Sequence, residues 1–250
     1  MEELVIITVA FAVGGTFMAI YTDLKSRIIP NRLTYSMIIA GIALNLINGL
    51  LRWDLLKAIS GFLGAGISFA IGYGMWLTGG WAGGDVKLFT GYGALLPFYT
   101  PPSAISPVYP FPITILFNSV LIMIPILLIY AVFRKAKGLG VLYEETKITE
   151  LEEGMIPAEI IYEKDGKVYR GKSWLGIKPS GVKIYADPSR AAGLSNRQIA
   201  ALRRLVREGK LKNHIKLKRG MPYAPALGAG LLAGIFFGDI YLILMMALLT

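Results

Sequence analysis

Three aspartates lie within or beside strongly apolar stretches of the chain: Asp23, Asp85 and Asp239. Ionisable side chains in such a setting are costly and tend to be functional. Two carboxylates that share one site cannot both ionise cheaply, so the pair holds one proton. The ionised member can then take a proton from water while its neighbour donates a proton to a carbonyl oxygen. A pair of these acids could therefore hydrolyse an amide bond without a metal ion or a covalent intermediate.

The chain offers few alternatives to carboxylate chemistry. It contains no cysteine, which excludes disulfides, thiolate metal sites and cysteine nucleophiles. His214 is the one histidine, and it lies in a basic stretch far from the apolar segments. A zinc site would find no second imidazole, and we interpret His214 as a solvated surface residue. We therefore predict a site with no metal ion and no cofactor.

Apolar stretches of about 20 residues predict helices that cross a membrane, and hydrophobic residues make up 54% of this chain. The predicted spans cover 4–21, 33–51, 58–77, 86–99, 114–133 and 224–249. The fourth span is short, and the sixth is long enough to tilt. The chain starts with acidic residues, unlike a cleavable signal peptide, so we expect the first span to be retained. The predicted fold class is an α-helical polytopic membrane protein with about six transmembrane helices.

A long polar segment separates the fifth and sixth spans, and it has the sequence features of a small α+β domain. Asp165-Gly166 is a strong hairpin signal between two strand-like runs. Ser195 and Gln198 have the spacing of a capping box, which predicts the start of a helix. The predicted domains are a membrane domain with five spans over 1–133, a soluble α+β domain over 134–222 and the last transmembrane helix over 223–250.

Positive charge is concentrated in this polar insert. The chain has a formal net charge of +10, and residues 134–219 carry the whole surplus. Nucleic acid is one interpretation of a basic domain, but a cytoplasmic domain that faces anionic lipid is simpler in a membrane protein. We therefore predict membrane lipid, and no nucleic acid, as a partner. The positive-inside rule also places the first, third and fifth connections in the cytoplasm and both termini outside it.

This topology brings two of the three acids to one face of the membrane. Asp23 ends the first span, which runs toward the cytoplasm, and Asp85 opens the fourth, which runs away from it. Both carboxylates are therefore predicted at the cytoplasmic face. Asp239 falls late in the sixth span, toward the opposite face, and is interpreted as a hydrogen-bonding residue. The glycine-rich segment 79–84 permits close approach of a substrate chain or of the partner aspartate to Asp85.

Around both acids the sequence resembles the GxGD intramembrane aspartyl proteases. Residues 22–31, Thr-Asp-Leu-Lys-Ser-Arg-Ile-Ile-Pro-Asn, are similar to the first aspartate motif of the type IV prepilin peptidase family, and residues 83–88, Gly-Gly-Asp-Val-Lys-Leu, to its second. The nearest branch is the archaeal preflagellin peptidases. The resemblance implies that Asp23 and Asp85 are the catalytic pair. One departure is that Ala82 stands where the family has the first glycine of GxGD.

The resemblance also implies roles for residues near the acids. Gly83, Gly84, Lys87 and Pro225 are predicted to support the catalytic loop or to bind substrate. Pro225 belongs to a proline-rich stretch that is similar to the entry of the family's last helix. Lys87 is interpreted as an interfacial anchor and not as a catalytic group.

The function that the resemblance implies is an aspartic endopeptidase of the cell membrane. It would remove the short basic leader from preflagellin-like or type IV prepilin-like precursors, such as those of the archaeal flagellum, at the cytoplasmic face. The chain lacks the cysteine-bearing insert that bacterial relatives commonly carry, which favours the archaeal branch. A proton-coupled transporter that uses the same two carboxylates is the alternative, and it would predict acids nearer the midplane and inverted repeats. A scaffold protein would leave the paired motifs unexplained, and the oligomeric state stays open.

Overall fold

A computed structural model of the chain describes residues 2–78, 80–101, 109–136, 143–171, 181–189, 193–218 and 222–249. The chain forms two compact units. The membrane unit combines Met1–Ile129 with Pro222–Thr250, and the insert unit is Tyr130–Met221. Each unit has its own cluster of buried apolar side chains. Removal of apolar surface from water stabilises the insert unit, whereas close packing and hydrogen bonds between helices stabilise the membrane unit.

Long helices make up the membrane unit. In chain order they are α1 (Glu2–Ser26), α2 (Asn31–Leu51), α3 (Leu55–Leu77), α4 (Gly83–Leu95), α5 (Phe111–Ala136), α7 (Ala224–Phe237) and α8 (Ile240–Leu249). Residues 130–136 at the end of α5 fall in the insert unit, which also contains α6 (Asn196–Arg207). Pro30 precedes α2, and its fixed φ and missing N–H suit a helix start. Asp54 caps α3, since its Oδ1 accepts the Lys57 backbone N–H at 3.0 Å.

The predicted α-helical polytopic membrane fold, with a small sheet-containing domain before the last helices, is confirmed. Among the described residues, α1, α2, α3 and α5 are long and apolar enough to cross a membrane. The pair α7 and α8 would make a fifth span, bent by 63°. By length and composition the candidate spans therefore number four or five in this part of the chain, against the six predicted from hydropathy.

The fourth predicted span, 86–99, differs most from its expectation. The helix found there, α4, has 13 residues and is therefore about 20 Å long, shorter than the roughly 30 Å hydrocarbon core. It is buried almost all round against α2 and α3. Glycines allow this close packing, because a Cβ atom at Gly93 would lie 2.2 Å from the Gly64 carbonyl oxygen. Hydropathy alone cannot distinguish such a buried helix from a lipid-exposed one.

The sixth predicted span is broken into α7 and α8. Gly238 has a φ of 75°, a conformation that glycine adopts without steric cost. The Asn118 side chain brackets the break, since Nδ2 donates to the Gly238 carbonyl at 2.8 Å and Oδ1 accepts the Ile240 N–H at 3.0 Å. Asp239 then caps α8 by accepting the Leu242 N–H at 2.8 Å. Polar side chains thus replace the backbone hydrogen bonds that a continuous helix would make.

The insert unit is an α+β domain, as predicted. Its strands are β1 (Tyr143–Thr146), β2 (Ile160–Lys164), β3 (Lys167–Gly171), β4 (Lys183–Ala186) and β5 (Ile215–Lys218), with a 3₁₀ turn at Ile148–Glu150. All pairs are antiparallel, in one sheet of order β3-β2-β4 and a second that pairs β1 with β5.

Local sequence signals account for the turns and the helix of the insert unit. Asp165 and Gly166 have φ values of 51° and 75°, as a two-residue hairpin of the predicted type requires. The Ser195 N–H donates to Gln198 Oε1 at 3.1 Å, which completes the predicted capping box of α6. One face of α6 is buried on the domain core, and His214 is exposed at the surface, as predicted.

Candidate active site

Asp23 lies in the last turn of α1 and is 6% exposed. Its Oδ2 accepts the backbone N–H of Ala224, the first residue of α7, at 3.2 Å. The first N–H groups of a helix have no partner within the helix, and the positive end of its dipole favours an anion. Pro225 follows at a position where its missing N–H costs no hydrogen bond. The start of α7 thus presents one backbone donor to the Asp23 carboxylate.

Asp85 is the third residue of α4 and is also 6% exposed. Its Oδ2 accepts the backbone N–H of Ala82 at 2.9 Å, which is one of the two bonds of a capping box; the other is missing because the Ala82 side chain has no oxygen. Ala82 has φ −84° and ψ 161°, an extended conformation that any residue adopts. Alanine in place of the first glycine of GxGD therefore leaves the backbone of this loop unstrained.

The two aspartate motifs touch each other at two points. A Cβ atom at Gly84 would lie 3.2 Å from Cβ of Ile29, which is itself buried. One turn further along α4, the Lys87 ammonium donates to Asn31 Oδ1 at 2.7 Å and lies over the Tyr35 ring. The segment after Asp23 and the segment that carries Asp85 are thus packed directly together. A Cβ atom at Gly83, in contrast, would meet nothing within 4 Å.

The structure brings together two of the three acids singled out from the sequence. Asp23 and Asp85 belong to the two motifs that pack together through Gly84 and Ile29 and through Lys87 and Asn31. Asp239 follows α7, the 14-residue helix that begins at Ala224 beside Asp23, so it lies about 20 Å away along the helix axis. There it is 1% exposed and accepts hydrogen bonds from Tyr109 Oη at 2.5 Å and Thr114 Oγ1 at 2.8 Å.

Trp81 is a site residue that motif reasoning missed. It is 3% exposed, and its ring centroid lies 5.2 Å from that of Phe89 and 5.3 Å from that of Tyr223. Its Nε1 has no hydrogen-bond partner among the described residues. Because Tyr223 directly precedes Ala224, Trp81 connects the loop before Asp85 to the N–H group that bonds Asp23. A large aromatic residue inside a glycine-rich stretch was the signal that could have found it.

A second missed contact joins the two helices that carry the acids. The fully buried Tyr92 hydroxyl of α4 donates to Thr16 Oγ1 of α1 at 2.9 Å, since the Thr16 hydroxyl proton goes to the Ala12 carbonyl at 2.6 Å. This bond lies two turns from Asp23 along α1 and two turns from Asp85 along α4. It fixes the relative position of α1 and α4 behind the acids.

The arrangement is suited to proton transfer between two carboxyl groups. Each carboxylate accepts one backbone hydrogen bond from a described residue, although two oxygens offer about four acceptor positions. Each therefore has capacity left for water, for the other carboxyl group or for a carbonyl oxygen. Over the part of the chain that the structure describes, no three His, Asp or Glu side chains cluster in a way that could hold a metal ion.

Comparison with known proteins covers both units. The sequence profile of the type IV leader peptidase family matches residues 10–140, which include both aspartate motifs. The profile of the archaeal peptidase A24 C-terminal domain matches residues 115–217.

Three curated relatives are archaeal peptidases. A prepilin peptidase of Methanothermobacter thermautotrophicus is 28% identical over an alignment that is 373 positions long, gaps included, and covers 96% of each chain. A preflagellin peptidase of Methanococcus voltae is 35% identical over 136 residues, 50% of this chain and 58% of the relative. A preflagellin peptidase of Methanocaldococcus jannaschii is 40% identical over 91 residues, 36% of this chain and 38% of the relative.

Proposed function

This chain belongs to the type IV leader peptidase family and is a multi-pass membrane peptidase, and from that premise we propose that Asp23 and Asp85 are its catalytic dyad. The resemblance inferred from the motifs is confirmed at the level of the family. The observation that carries the proposal is the contact between the two motifs, through Gly84 and Ile29 and through Lys87 and Asn31. These contacts hold two buried carboxyl groups near each other on separate helices.

The dyad acts as a general acid and a general base. The ionised carboxylate takes a proton from water, and the hydroxide adds to the scissile carbonyl carbon while the protonated partner donates to the carbonyl oxygen. Collapse of the tetrahedral intermediate breaks the C–N bond, and a proton from the dyad passes to the leaving amine. One proton is shared by the pair, so either aspartate can begin the cycle in the ionised form.

The substrate is a precursor with a short basic leader followed by an apolar helix. The similarity to a prepilin peptidase and to preflagellin peptidases supports this class of substrate. The acids lie at helix ends, Asp23 in the last turn of α1 and Asp85 in the first turn of α4. Placement at the ends supports cleavage near a membrane face rather than transport through the midplane.

The positive-inside rule orients the site. Lys25, Arg27 and Arg32 flank the first motif, and the insert carries the positive surplus. We therefore place the dyad and the insert toward the cytoplasm and both termini outside it. This orientation counts the short helix α4 as a crossing, because α4 runs antiparallel to α3, with Val86 beside Gly72 and Gly93 beside Gly64, and so returns the chain to the other end of the membrane unit. Anionic lipid is the membrane partner of the basic insert in this orientation.

Cleavage of a leader-bearing precursor in ¹⁸O-labelled water tests the proposal. Wild-type protein in lipid should release the leader with one ¹⁸O in its new carboxyl terminus, measured by mass spectrometry. Asp54→Asn is the matched control, because asparagine also caps a helix well and Asp54 lies in the loop between α2 and α3, away from the dyad. It should cleave at the wild-type rate. Release of the same product by Asp23→Asn protein would contradict the proposed dyad.

A further inference from the structure

Two aromatic residues directly precede the two backbone N–H groups that bond the acids. The donor to Asp85 lies in the peptide unit that follows Trp81, and the donor to Asp23 lies in the peptide unit that follows Tyr223. The Trp81 and Tyr223 rings pack against each other, with their centroids 5.3 Å apart and their planes tilted by 46°. A single contact between side chains that are far apart in the sequence therefore joins the two donors.

The Trp81 ring is held by the helices on either side of its loop. Trp81 is 3% exposed and meets the Phe89 ring of α4 edge-on, with centroids 5.2 Å apart. A Cβ atom at Gly72 of α3 would lie 3.4 Å from Cζ3 of the Trp81 ring, so this glycine leaves the ring its space. The Trp81 backbone N–H donates to the Met75 carbonyl at 3.3 Å. Trp81 is therefore a support for Tyr223 whose position is set by α3 and α4.

Helix α7 has a different main neighbour. It packs chiefly against α1, the helix that carries Asp23, and this packing sets the start of α7 relative to that acid. It does not set the start of α7 relative to the loop before Asp85. The contact of Tyr223 with Trp81 does so, and it lies at the buried core of the membrane unit, where paired aromatic rings attract each other beyond the effect of their buried area.

We propose that Trp81 and Tyr223 are positioning residues of the dyad, and that their ring contact sets the distance between the two backbone donors and thereby between the Asp23 and Asp85 carboxyl groups. This inference rests on the proposed catalytic role of both acids. Neither ring takes part in the chemistry, since each acts through the N–H group that follows it. A misplacement of about 1 Å can cost about 100-fold in rate. The contacts between the two aspartate motifs remain when a ring is removed, so we expect a loss of about tenfold.

Cleavage kinetics of the full chain in lipid with a leader-bearing precursor test this role. Trp81→Ala and Tyr223→Ala should each lower kcat about tenfold and leave KM within about twofold of the wild type. Leucine takes the place of alanine should either variant fail to fold. The double alanine variant should also lose about tenfold, because residues that act through one contact are non-additive. Losses that multiply to about 100-fold would overturn the proposal.

Conservative variants separate the ring contact from the other properties of the two side chains. Trp81→Phe and Tyr223→Phe keep an aromatic ring at each position and should recover most of kcat. Nε1 of Trp81 has no hydrogen-bond partner among the described residues, so phenylalanine removes no such bond. A loss in the phenylalanine variants as large as in the alanine variants would contradict a role of the ring contact.

Phe111→Ala is the matched control, because Phe111 is another buried aromatic side chain that packs on α7. It is 1% exposed, and a Cβ atom at Gly234 would lie 3.0 Å from its Cζ atom, about 15 Å along α7 from Ala224. Phe111→Ala should lower the unfolding temperature at least as much as Trp81→Ala but keep kcat within about twofold of the wild type. Equal losses of kcat in the two variants would mean a general effect of aromatic packing and would overturn the proposal.

Amide hydrogen exchange tests the contact without reference to cleavage. Trp81→Ala should raise exchange in the segment 222–228 about fivefold, and Tyr223→Ala should do the same in the segment 80–86, because loss of the ring pair loosens both sides. Phe111→Ala should leave exchange in 80–86 unchanged. Unchanged exchange across the contact in both ring variants would overturn the positioning role and leave the dyad intact. Full cleavage by Asp23→Asn protein would instead overturn the dyad, and the positioning role with it.

Discussion

Buried aspartates lie beside both ends of helix α7, and they differ in the hydrogen bonds that they accept. Asp239, after the helix, accepts hydrogen bonds from Tyr109, Thr114 and the Leu242 N–H. Asp23 of α1, which lies against the start of α7, accepts one hydrogen bond from a described residue, the N–H of Ala224. Asp85 beside it likewise accepts one, from Ala82. The three side chains are therefore similarly buried, but they differ in the number of hydrogen bonds that they accept.

The number of acceptor positions already used by hydrogen bonds separates the structural role that we assign to Asp239 from the reactive role that we propose for the dyad. Three donors on Asp239 leave little acceptor capacity, and they fix the break between α7 and α8 where a continuous helix would otherwise form. The acids of the proposed dyad keep most of their acceptor positions for water and substrate. Substitution should therefore affect mainly stability at Asp239 and mainly rate at the dyad.

The largest stability effect should come from Asp239→Ala. It removes the cap of α8 and leaves the Tyr109 and Thr114 hydroxyls buried without an acceptor. Each such loss costs about 1 kcal/mol or more, so the expected destabilisation is about 3 kcal/mol, measured by reversible unfolding in detergent. Asp85→Asn keeps an acceptor oxygen for Ala82 and should lose less than about 1 kcal/mol. Equal losses of unfolding free energy in Asp239→Ala and Asp85→Asn would contradict the structural role that we assign to Asp239 alone.

Substitution of the two glycines before Asp85 should have smaller effects, and the cleavage rate should depend on which glycine is changed. Gly84→Ala brings a methyl group within 3.2 Å of Ile29 Cβ, so the two motifs must move apart, and we expect about a tenfold lower cleavage rate. Gly83→Ala meets no atom within 4 Å and should stay within about twofold of the wild type. The measurement is the cleavage rate at saturating precursor. A larger loss from Gly83→Ala than from Gly84→Ala would mean that contact between the motifs does not position Asp85.

The sequence predicts the side-chain groups of the candidate site better than its backbone groups. Ionisable side chains in apolar stretches are visible as residue types, so Asp23, Asp85 and Asp239 were all found. Backbone donors have no residue-type signal, which is why the Ala224 N–H was missed. Contacts between residues far apart in the sequence, such as Trp81 and Tyr223, likewise have no sequence signal and become visible only in the structure.

The helix count shows the same limit. An apolar segment is predicted to be removed from water, but its composition does not show whether lipid or protein surrounds it. For that reason 86–99 and 224–249 both met the hydropathy expectation of a span, yet the first is a short buried helix and the second is bent by 63°. Gly238 and Asp239 were the sequence signal for the bend, since both are unfavourable inside a lipid-exposed helix. Turn and capping motifs of the insert, in contrast, were predicted correctly because they depend on neighbouring residues.

The smallest expected effect is a change in the stability of the insert unit, and it comes from the carboxylate of Glu159. Burial opposes ionisation of Glu159, but hydrogen bonds from Arg170 and from the Lys216 N–H outweigh it and hold its pKa below the usual value. A lowered pKa stabilises the folded insert above the pKa of the unfolded chain, and that stability is lost as pH falls below about 5 through the folded pKa. Glu159→Gln should lower stability at pH 7 by about 1 kcal/mol and flatten this pH dependence.

Hydrogen exchange of the insert strands at pH 7 and pH 4 measures the Glu159 effect. Glu208→Gln is the control, because Glu208 pairs with Arg204 and Lys210 at the surface and exposed pairs contribute little. A steeper pH dependence in Glu159→Gln than in the wild type would contradict the assigned sign.

The most direct test of the dyad compares cleavage rates of Asp23→Asn, Asp85→Asn and the double variant in one assay. Two groups that act as a unit are non-additive. Each single variant should therefore lose about 10³-fold or more of the wild-type rate while staying folded, and the double variant should be no slower than either. Substantial cleavage by one single variant, or losses that multiply in the double variant, would show that Asp23 and Asp85 do not form one catalytic unit.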